Sequence, residues 1–330
     1  MPGNPLRPIL STTATDRPDP LRPPPADPAT VACPRSGSPA GIRLGDDCWF
    51  LSGPTAAGKS ALAIPLAHRL GAEILSVDSM AVYRGLDIGT AKPSPADRAA
   101  LPHRCLDLVS AAATFSVADW LEAAAAAMAD CRSRSRQILF VGGTPLYLRA
   151  LRDGLAELPP ADPAIRASLV AAVAADGSAA VHRRLAEIDP PAAARIHPND
   201  AKRIIRALEV AELTGRPLSA AFAPAADPLF ERRLMIVDVT RQTLAERIDR
   251  RVEAMFAGGI VEETAAALAA PGGIGPTASQ AAGYTEAIDL IHGRISRPEA
   301  IRRTQLRTRQ LAKRQRTWLR SFKNATWIGA

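Results

Sequence analysis

Apolar and polar residues along positions 47–158 fall into blocks with the lengths of short strands and longer helices. Apolar runs at 48–51, 73–77 and 137–141 predict buried strands, and a weaker run lies at 102–109. Between them, Leu62, Leu66 and Leu70 recur at helical spacing, and an Ala-rich stretch predicts a helix from Val117 to about Ser133. Strands that alternate with helices predict βαβ units and a parallel sheet.

The pattern changes after residue 158. Residues 159–230 are helical in spacing, with Asp-Pro and Pro-Pro pairs between the segments, and they predict a helical insertion. A further strand is predicted at 234–237, followed by helices that end in one long basic helix from about Pro298 to Phe322. The predicted fold class is α/β: a P-loop parallel sheet flanked by helices, with a helical insertion domain and a long basic C-terminal helix. In this prediction, residues 47–158 and 231–330 form the P-loop catalytic core with the C-terminal helices.

Composition adds a tail and sets the class of protein. Residues 1–46 contain 11 of the 29 prolines and too little apolar surface to offset chain entropy, so we predict a disordered tail there. A Pro-rich docking segment is the alternative. The four cysteines show no metal-binding spacing, no run of residues is long and apolar enough to span a membrane, and no secretory signal is visible. We therefore expect a cytoplasmic protein. The sequence does not indicate an oligomeric state, and a monomer is the default expectation. The net charge of +8 favours an anionic partner.

The first strand leads into a glycine-rich loop that opens the first helix. The loop reads Gly53-Pro54-Thr55-Ala56-Ala57-Gly58-Lys59-Ser60, which matches the G-x-x-x-x-G-K-S pattern in its expected context. Backbone N–H groups and the helix N-terminus cradle a phosphate in such loops, the lysine contacts a terminal phosphate, and the serine hydroxyl suits Mg²⁺. The sequence thus predicts a site for a di- or triphosphate.

Two other features bear on the chemistry. Asp78 closes the second strand at the sheet edge where the loop is expected, which leaves it open as a metal ligand, a proton acceptor or a helix cap; Asp238 closes a later strand in the same way. The C-terminal helix has no acidic residue after Glu299, and its cations, which we expect to bind nucleic acid phosphates, are Arg302, Arg303, Arg307, Arg309, Lys313, Arg314, Arg316 and Arg320. A solvated basic face is the alternative.

Six segments, in this order along about residues 48–320, resemble the bacterial tRNA dimethylallyltransferase family. They are the loop 53–60, Ser76-Val77-Asp78-Ser79, Asp87-Ile88-Gly89-Thr90-Ala91-Lys92-Pro93, Val141-Gly142-Gly143-Thr144 with Leu146-Tyr147, Ile196-His197-Pro198-Asn199-Asp200, and Arg309-Gln310-Leu311-Ala312-Lys313-Arg314-Gln315.

The resemblance implies transfer of a dimethylallyl group from dimethylallyl diphosphate to N6 of the adenosine on the 3′ side of the anticodon, in tRNAs that read codons beginning with U. It implies that Asp78 accepts the N6 proton, that Lys59, Thr55 and Arg247 stabilise the leaving diphosphate, and that Ser60 holds Mg²⁺. It also implies a set of residues facing the tRNA anticodon stem-loop, with the helical insertion among them. These are Asp78, Ser79, Met80, Ala81, Thr144, Lys202, Arg203, Ile204, Ile205, Arg206, Gly283, Tyr284, Lys313, Arg314, Gln315, Arg316 and Arg320.

Two other functions remain open at this point. A small-molecule or nucleotide kinase would use the same loop with ATP, but it would give the basic C-terminal helix no role. A non-catalytic RNA-binding protein would have no need of an intact Lys59, Ser60 and Asp78.

Overall fold

The computed structural model describes residues 42–156, 158–221 and 228–329, with the backbone alone at positions 228 and 229. In these ranges six strands form one parallel sheet in the order β3-β2-β4-β1-β5-β6. The strands are β1 Cys48–Ser52, β2 Ala72–Ser76, β3 His103–Arg104, β4 Gln137–Gly142, β5 Leu234–Asp238 and β6 Thr326–Gly329. The α/β class predicted from the alternating pattern is confirmed.

Thirteen α-helices connect and flank the strands of the described ranges. Those of the sheet region are α1 Lys59–Leu70, α2 Pro95–Ala100, α3 Val117–Ser133, α4 Pro145–Asp153, α9 Pro228–Arg232, α10 Arg241–Ala257, α11 Ile260–Ala269, α12 Tyr284–Ile291 and α13 Arg297–Leu319. Those between α4 and α9 are α5 Pro163–Asp176, α6 Ser178–Ile188, α7 Pro190–Arg195 and α8 Ala201–Thr214. None of these helices is long and apolar enough to cross a membrane.

The strands were predicted well where their apolar runs are long. The weak run at 102–109 yields only the two residues of β3, plus an isolated bridge between Tyr83 and Val109. The expectation that only helices follow residue 239 is wrong, because β6 pairs in parallel with β5 at the edge of the sheet. This edge strand is four residues long and mostly exposed, so it lacks the apolar run by which buried strands are recognised.

The buried face of the helix after the glycine loop is not the one that its leucine spacing predicts. Its buried residues are Ala63 and Ala67, whereas Leu62 is 37% exposed. Small side chains let α1 approach β2 and β4 closely, which brings the loop near the ends of both strands. On α3, the Trp120 indole donates to the carbonyl of Ser76 at 3.1 Å and so anchors the end of β2.

Helices α5–α8 have an apolar cluster of their own, separate from that of the sheet. It includes Leu169, Val181, Leu185 and Leu208. These helices lie within the range 159–230 predicted as a helical insertion, while residues 157 and 222–227 lie outside the described residues.

The predicted tail also lies mostly outside the described residues, since the description begins at position 42. Its last five residues belong to the folded body. Ile42 and Leu44 pack against the core, and Asp46 pairs with Arg233. The boundary predicted at residue 46 is therefore too late in the chain.

Candidate active site

Three loops meet at one edge of the sheet, as predicted from the strands that precede them. β1 lies beside β4, with Ser52 paired in register with Gly142, and β2 lies on the other side of β4. The backbone N–H of Val77 donates to the carbonyl of Val141 at 2.8 Å, which carries the β2–β4 pairing to the strand ends. The residues after these strands, including Gly53, Asp78 and Gly143, therefore occupy one rim.

The glycine loop has the strained backbone of a phosphate cradle. Gly58, the N-cap residue of α1, has φ 101°, and Ala56 also has a positive φ of 63°. A Cβ at Gly53 would lie 2.8 Å from the carbonyl oxygen of Val237. The Lys59 ammonium donates to the carbonyls of Gly53 and Pro54 at 3.0 and 2.9 Å, so the lysine reaches back over the start of the loop.

The charges at the rim are coupled. Burial lowers the pKa of Lys59 to about 8; the Asp78 carboxylate opposes that effect, and Arg251 adds to it. Burial also lowers the pKa of Arg251, again opposed by Asp78. Lys59, Arg251 and Asp78 therefore share a partly desolvated space. Charged groups with perturbed pKa values of this kind are typical of functional sites.

Helix α10 brings two arginines to the loop. Arg247 donates to the carbonyl of Ala57 at 2.9 Å, so it contacts the glycine loop. Its role in the reaction stays a prediction. Arg251 donates to the hydroxyl of Thr55 at 3.1 Å. Arg251 was not identified as a site residue from the sequence. It could have been found, because it follows Arg247 at the i, i+4 spacing that puts two residues on one side of a helix.

A cavity of about 430 Å³ extends from the loop along α1 and under the segment 90–93. Its polar lining includes Lys59, Ser60, Asp78, Thr90 and His103. Its apolar lining is formed by residues that include Ala63, Ile64, Ile74, Ala81, Leu106 and Val141. The cavity thus offers cationic and hydroxyl groups for an anion and apolar side chains for a hydrocarbon chain.

Two oxygen donors of this cavity fit Mg²⁺. The hydroxyl of Ser60, at the start of α1, and the carboxylate of Asp78 line the same space. Mg²⁺ binds oxygen ligands, and it usually takes one or two from the protein and others from water and phosphate. The residues therefore fit a metal bound together with a diphosphate.

Asp78 sits in a turn and caps no helix, so that alternative is wrong. The described chain has no helix between α1 and α2, and the Asp78 carboxylate accepts from the N–H of Met80 at 2.8 Å. The next amide, that of Ser79, donates to the hydroxyl of Thr144 at 3.0 Å. These bonds fix the Asp78 turn to the loop that follows β4.

Residues implied to face tRNA divide into accessible and inaccessible groups. Lys202, Arg203, Lys313, Arg314 and Arg320 are exposed. In the described parts of the chain, no carboxylate lies within ion-pair distance of Lys313, Arg314 or Arg320.

The other five of the eight cations expected to bind phosphates have carboxylate partners, contrary to the expectation of an uncompensated basic helix. Arg302 and Arg303 pair with Glu299 on the same helix. The remaining three pair with acidic residues of other elements, which the sequence of one helix does not reveal: Arg307 with Glu286, Arg309 with Asp249, and Arg316 with Asp238.

Within the insertion, three residues implied to face tRNA are turned inward. Ile204 and Ile205 are buried in the apolar cluster of α5–α8. Arg206 donates to the buried carboxylate of Glu209 at 2.8 Å and to the carbonyl of Pro159 at 2.7 Å. All three side chains hold the insertion together, and the two isoleucines are too buried to contact a partner, whereas Arg206 is partly exposed.

Gly283 and Tyr284 are also buried, so they do not form part of an RNA-facing surface. The Tyr284 hydroxyl accepts from the N–H of Gly89 at 3.1 Å and donates to Glu263 at 2.6 Å. Glu263 also accepts from the backbone of Asp87 and Ile88. Tyr284 thus holds the loop whose following residues, 90–93, line the cavity.

The fold is of the α/β class, and the rim of its parallel sheet carries a glycine loop with the G-x-x-x-x-G-K-S pattern. Two family models match the chain: one described as IPP transferase over residues 81–322, and one described as isopentenyl transferase over residues 47–107. The chain belongs to the IPP transferase family.

Individual relatives agree with that assignment. The tRNA dimethylallyltransferase of Anaeromyxobacter dehalogenans is 48% identical over 281 residues, which cover 84% of this chain and 93% of the relative. That of Geobacter metallireducens is 46% identical over 282 residues, covering 84% and 91%. The crystal structure of the full-length tRNA isopentenylpyrophosphate transferase of Bacillus halodurans matches with a TM-score of 0.60 at 38% identity, covering 86% of this chain and 89% of that one.

Proposed function

We propose that the protein transfers the dimethylallyl group of dimethylallyl diphosphate to N6 of the adenosine on the 3′ side of the anticodon, in tRNAs that read codons beginning with U. One observation carries the proposal beyond family membership. Two arginines contact the glycine loop, and Lys59 and Ser60 at the end of that loop line a cavity together with the Asp78 carboxylate and several apolar side chains. None of the relatives named above is a kinase.

The loop holds the diphosphate, and the cations around it favour its departure. As the bond between the allyl carbon and the diphosphate oxygen breaks, negative charge grows on the leaving group. Lys59, Arg247 and Arg251 lie where they stabilise that charge, and the Thr55 hydroxyl adds a donor. Mg²⁺, held by Ser60, would neutralise part of the same charge.

Asp78 receives the proton. Adenine N6 is a weak nucleophile, but it becomes acidic as its bond to the allyl carbon forms. The Asp78 carboxylate lines the cavity and is held by the N–H of Met80, which supports a role for it as acceptor of the N6 proton during that step. The adenine base reaches Asp78 only after it has left the base stack of the anticodon loop.

In this proposal the tRNA-binding surface consists of the exposed cations Lys313, Arg314 and Arg320 near the C-terminal end of α13, together with Lys202 and Arg203 on α8. Phosphate contacts of this kind position the RNA without reading its sequence. We also propose that the protein works in the cytoplasm, where its tRNA substrate is found, and as a monomer.

The test is the stoichiometry of product release. Protein, tRNA, Mg²⁺ and dimethylallyl diphosphate should release one diphosphate per modified tRNA without ATP, and Lys59→Ala should abolish most of that release. Hydrolysis of ATP coupled to turnover, or diphosphate release that does not depend on tRNA, would contradict the proposal.

A further inference from the structure

Helix α13 carries exposed cations, but one of its residues points the other way. Gln315 follows the exposed Lys313 and Arg314 and is only 8% exposed. Its carboxamide lies at the rim of the sheet, against the glycine loop and the loop after β4.

Both ends of this carboxamide are engaged. Its Oε1 accepts from the backbone N–H of Thr55 at 2.8 Å, and its Nε2 donates to the carbonyl of Gly143 at 2.8 Å. Since an N–H only donates and a carbonyl only accepts, these partners also fix which end of the amide is oxygen.

The two loops joined by Gln315 lie very close together. A Cβ at Gly143 would be 2.8 Å from the carbonyl oxygen of Gly53 and 2.9 Å from Gln315 Nε2. There is no room for a side chain at Gly143.

The bonds continue on both sides. Thr55 also holds Arg251 through its hydroxyl, at 3.1 Å. On the other side, Gly143 is followed by Thr144, whose hydroxyl accepts from the N–H of Ser79, the residue after Asp78. A chain of contacts thus runs from the diphosphate cradle, through Gln315, to the turn that carries the carboxylate.

We infer that Gln315 is a positioning residue for the transfer reaction, which sets the glycine loop and the Asp78 turn at a fixed separation, and that it is not a tRNA contact. This inference rests on the proposed function. It departs from the family resemblance, which groups Gln315 with the residues facing tRNA.

Gln315→Met tests the inference, because methionine has a similar length and suits a helix but offers neither bond. Losing two hydrogen bonds at the cradle should lower kcat/KM for dimethylallyl diphosphate by about 10- to 100-fold. Inorganic pyrophosphate, titrated calorimetrically, should bind more weakly, while equilibrium binding of tRNA without donor should stay within about twofold. Gln310→Met, at an exposed position of the same helix, is the matched control and should change none of these values.

Gln315→Glu gives a signature that simple loss of stability would not. An ionised carboxylate keeps the bond from Thr55 but repels the Gly143 carbonyl, whereas a protonated carboxyl group restores the missing donor. Burial raises the pKa of such a group. The activity of Gln315→Glu relative to the natural protein should therefore increase as pH falls.

Two results would overturn the inference. One is a Gln315→Met protein that binds tRNA as poorly as the Lys313→Ala/Arg314→Ala double variant but binds pyrophosphate normally. The other is a relative activity of Gln315→Glu that does not change with pH. The pyrophosphate titration needs no transfer, so it tests the position of Gln315 even if the proposed reaction itself were wrong.

Discussion

Arg251 is the residue whose loss should reveal most about the leaving group. Its guanidinium donates to Thr55 at 3.1 Å, and no carboxylate of the described chain lies within ion-pair distance of it. A partly buried cation without a paired carboxylate, beside a phosphate cradle, is expected to bind the substrate anion. Arg251→Gln removes the charge and keeps a group that can still donate to Thr55.

The magnitude follows from two independent considerations. Unit charges about 4 Å apart interact by about 4 kcal/mol at an effective dielectric constant of about 20. Removing one preorganised donor from a developing anion costs about 10²–10³ in rate, or about 2.7–4 kcal/mol. We therefore expect kcat/KM for dimethylallyl diphosphate to fall by about 10²–10³ in Arg251→Gln, with little change in the KM of tRNA.

A second effect should appear in the pH profile. The diphosphate binds protonated Lys59, whose pKa in the free protein is about 8, so kcat/KM for the donor should be full below that pH and fall as pH rises through it. Arg251 is one of the groups that lower this pKa. In Arg251→Gln the pKa of Lys59 should rise, and the alkaline decline should begin at a higher pH.

Initial rates at several donor concentrations and pH values measure both effects. Arg250→Gln is the matched control, because Arg250 precedes Arg251 on α10 and is exposed. The reasoning is refuted if Arg251→Gln keeps kcat/KM within about threefold of the natural value, which is far less than loss of such a donor costs. It is refuted equally if the alkaline decline does not move.

Three other substitutions test separate parts of the account. Asp78→Asn should lower kcat by about 10²–10⁴ without rescue by high Mg²⁺, and a near-normal kcat on saturating tRNA would exclude the general-base role. Changing Lys313 and Arg314 together to alanine should raise the KM of tRNA and flatten its log–log salt dependence by roughly two, whereas equal weakening of both substrates would indicate a structural helix. Glu73→Gln should lower the free energy of unfolding at neutral pH by about 1–3 kcal/mol, since hydrogen bonds from Arg134 and Arg104 to the buried carboxylate lower the pKa of Glu73 to about 2. The contribution of the Glu73 carboxylate to stability is lost as pH falls through about 2. Chemical denaturation should therefore show that the difference in unfolding free energy between Glu73→Gln and the natural protein shrinks in acid. An unchanged unfolding free energy of Glu73→Gln at neutral pH would contradict this reasoning.

The sequence was sufficient for features that depend on local pattern. Long apolar runs marked β1, β2, β4 and β5, and the glycines and lysine of the loop lie between a strand and a helix as their spacing predicts. The meeting of Gly53, Asp78 and Gly142 at one rim also followed, because parallel strands end at the same edge.

What could not be predicted depends on partners far apart in the chain. Gln315 contacts Thr55 across 260 positions, and Tyr284 contacts Gly89 across 195. Arg307 and Arg316 look like free cations in their own helix, yet each has a carboxylate partner on another element of the folded chain. A basic residue on a helix therefore indicates a nucleic acid surface only after its ion pairs are known.

The most direct test of the proposed transfer is mass spectrometry of tRNA incubated with the protein, Mg²⁺ and dimethylallyl diphosphate in the absence of ATP. Nuclease fragments should show the mass of one added dimethylallyl group on the fragment that contains the adenosine 3′ of the anticodon, in a tRNA that reads codons beginning with U. A transcript with guanosine at that position is the control and should remain unmodified. An unmodified adenosine transcript after incubation with protein that binds both substrates, or an added group on the guanosine transcript, would contradict the account.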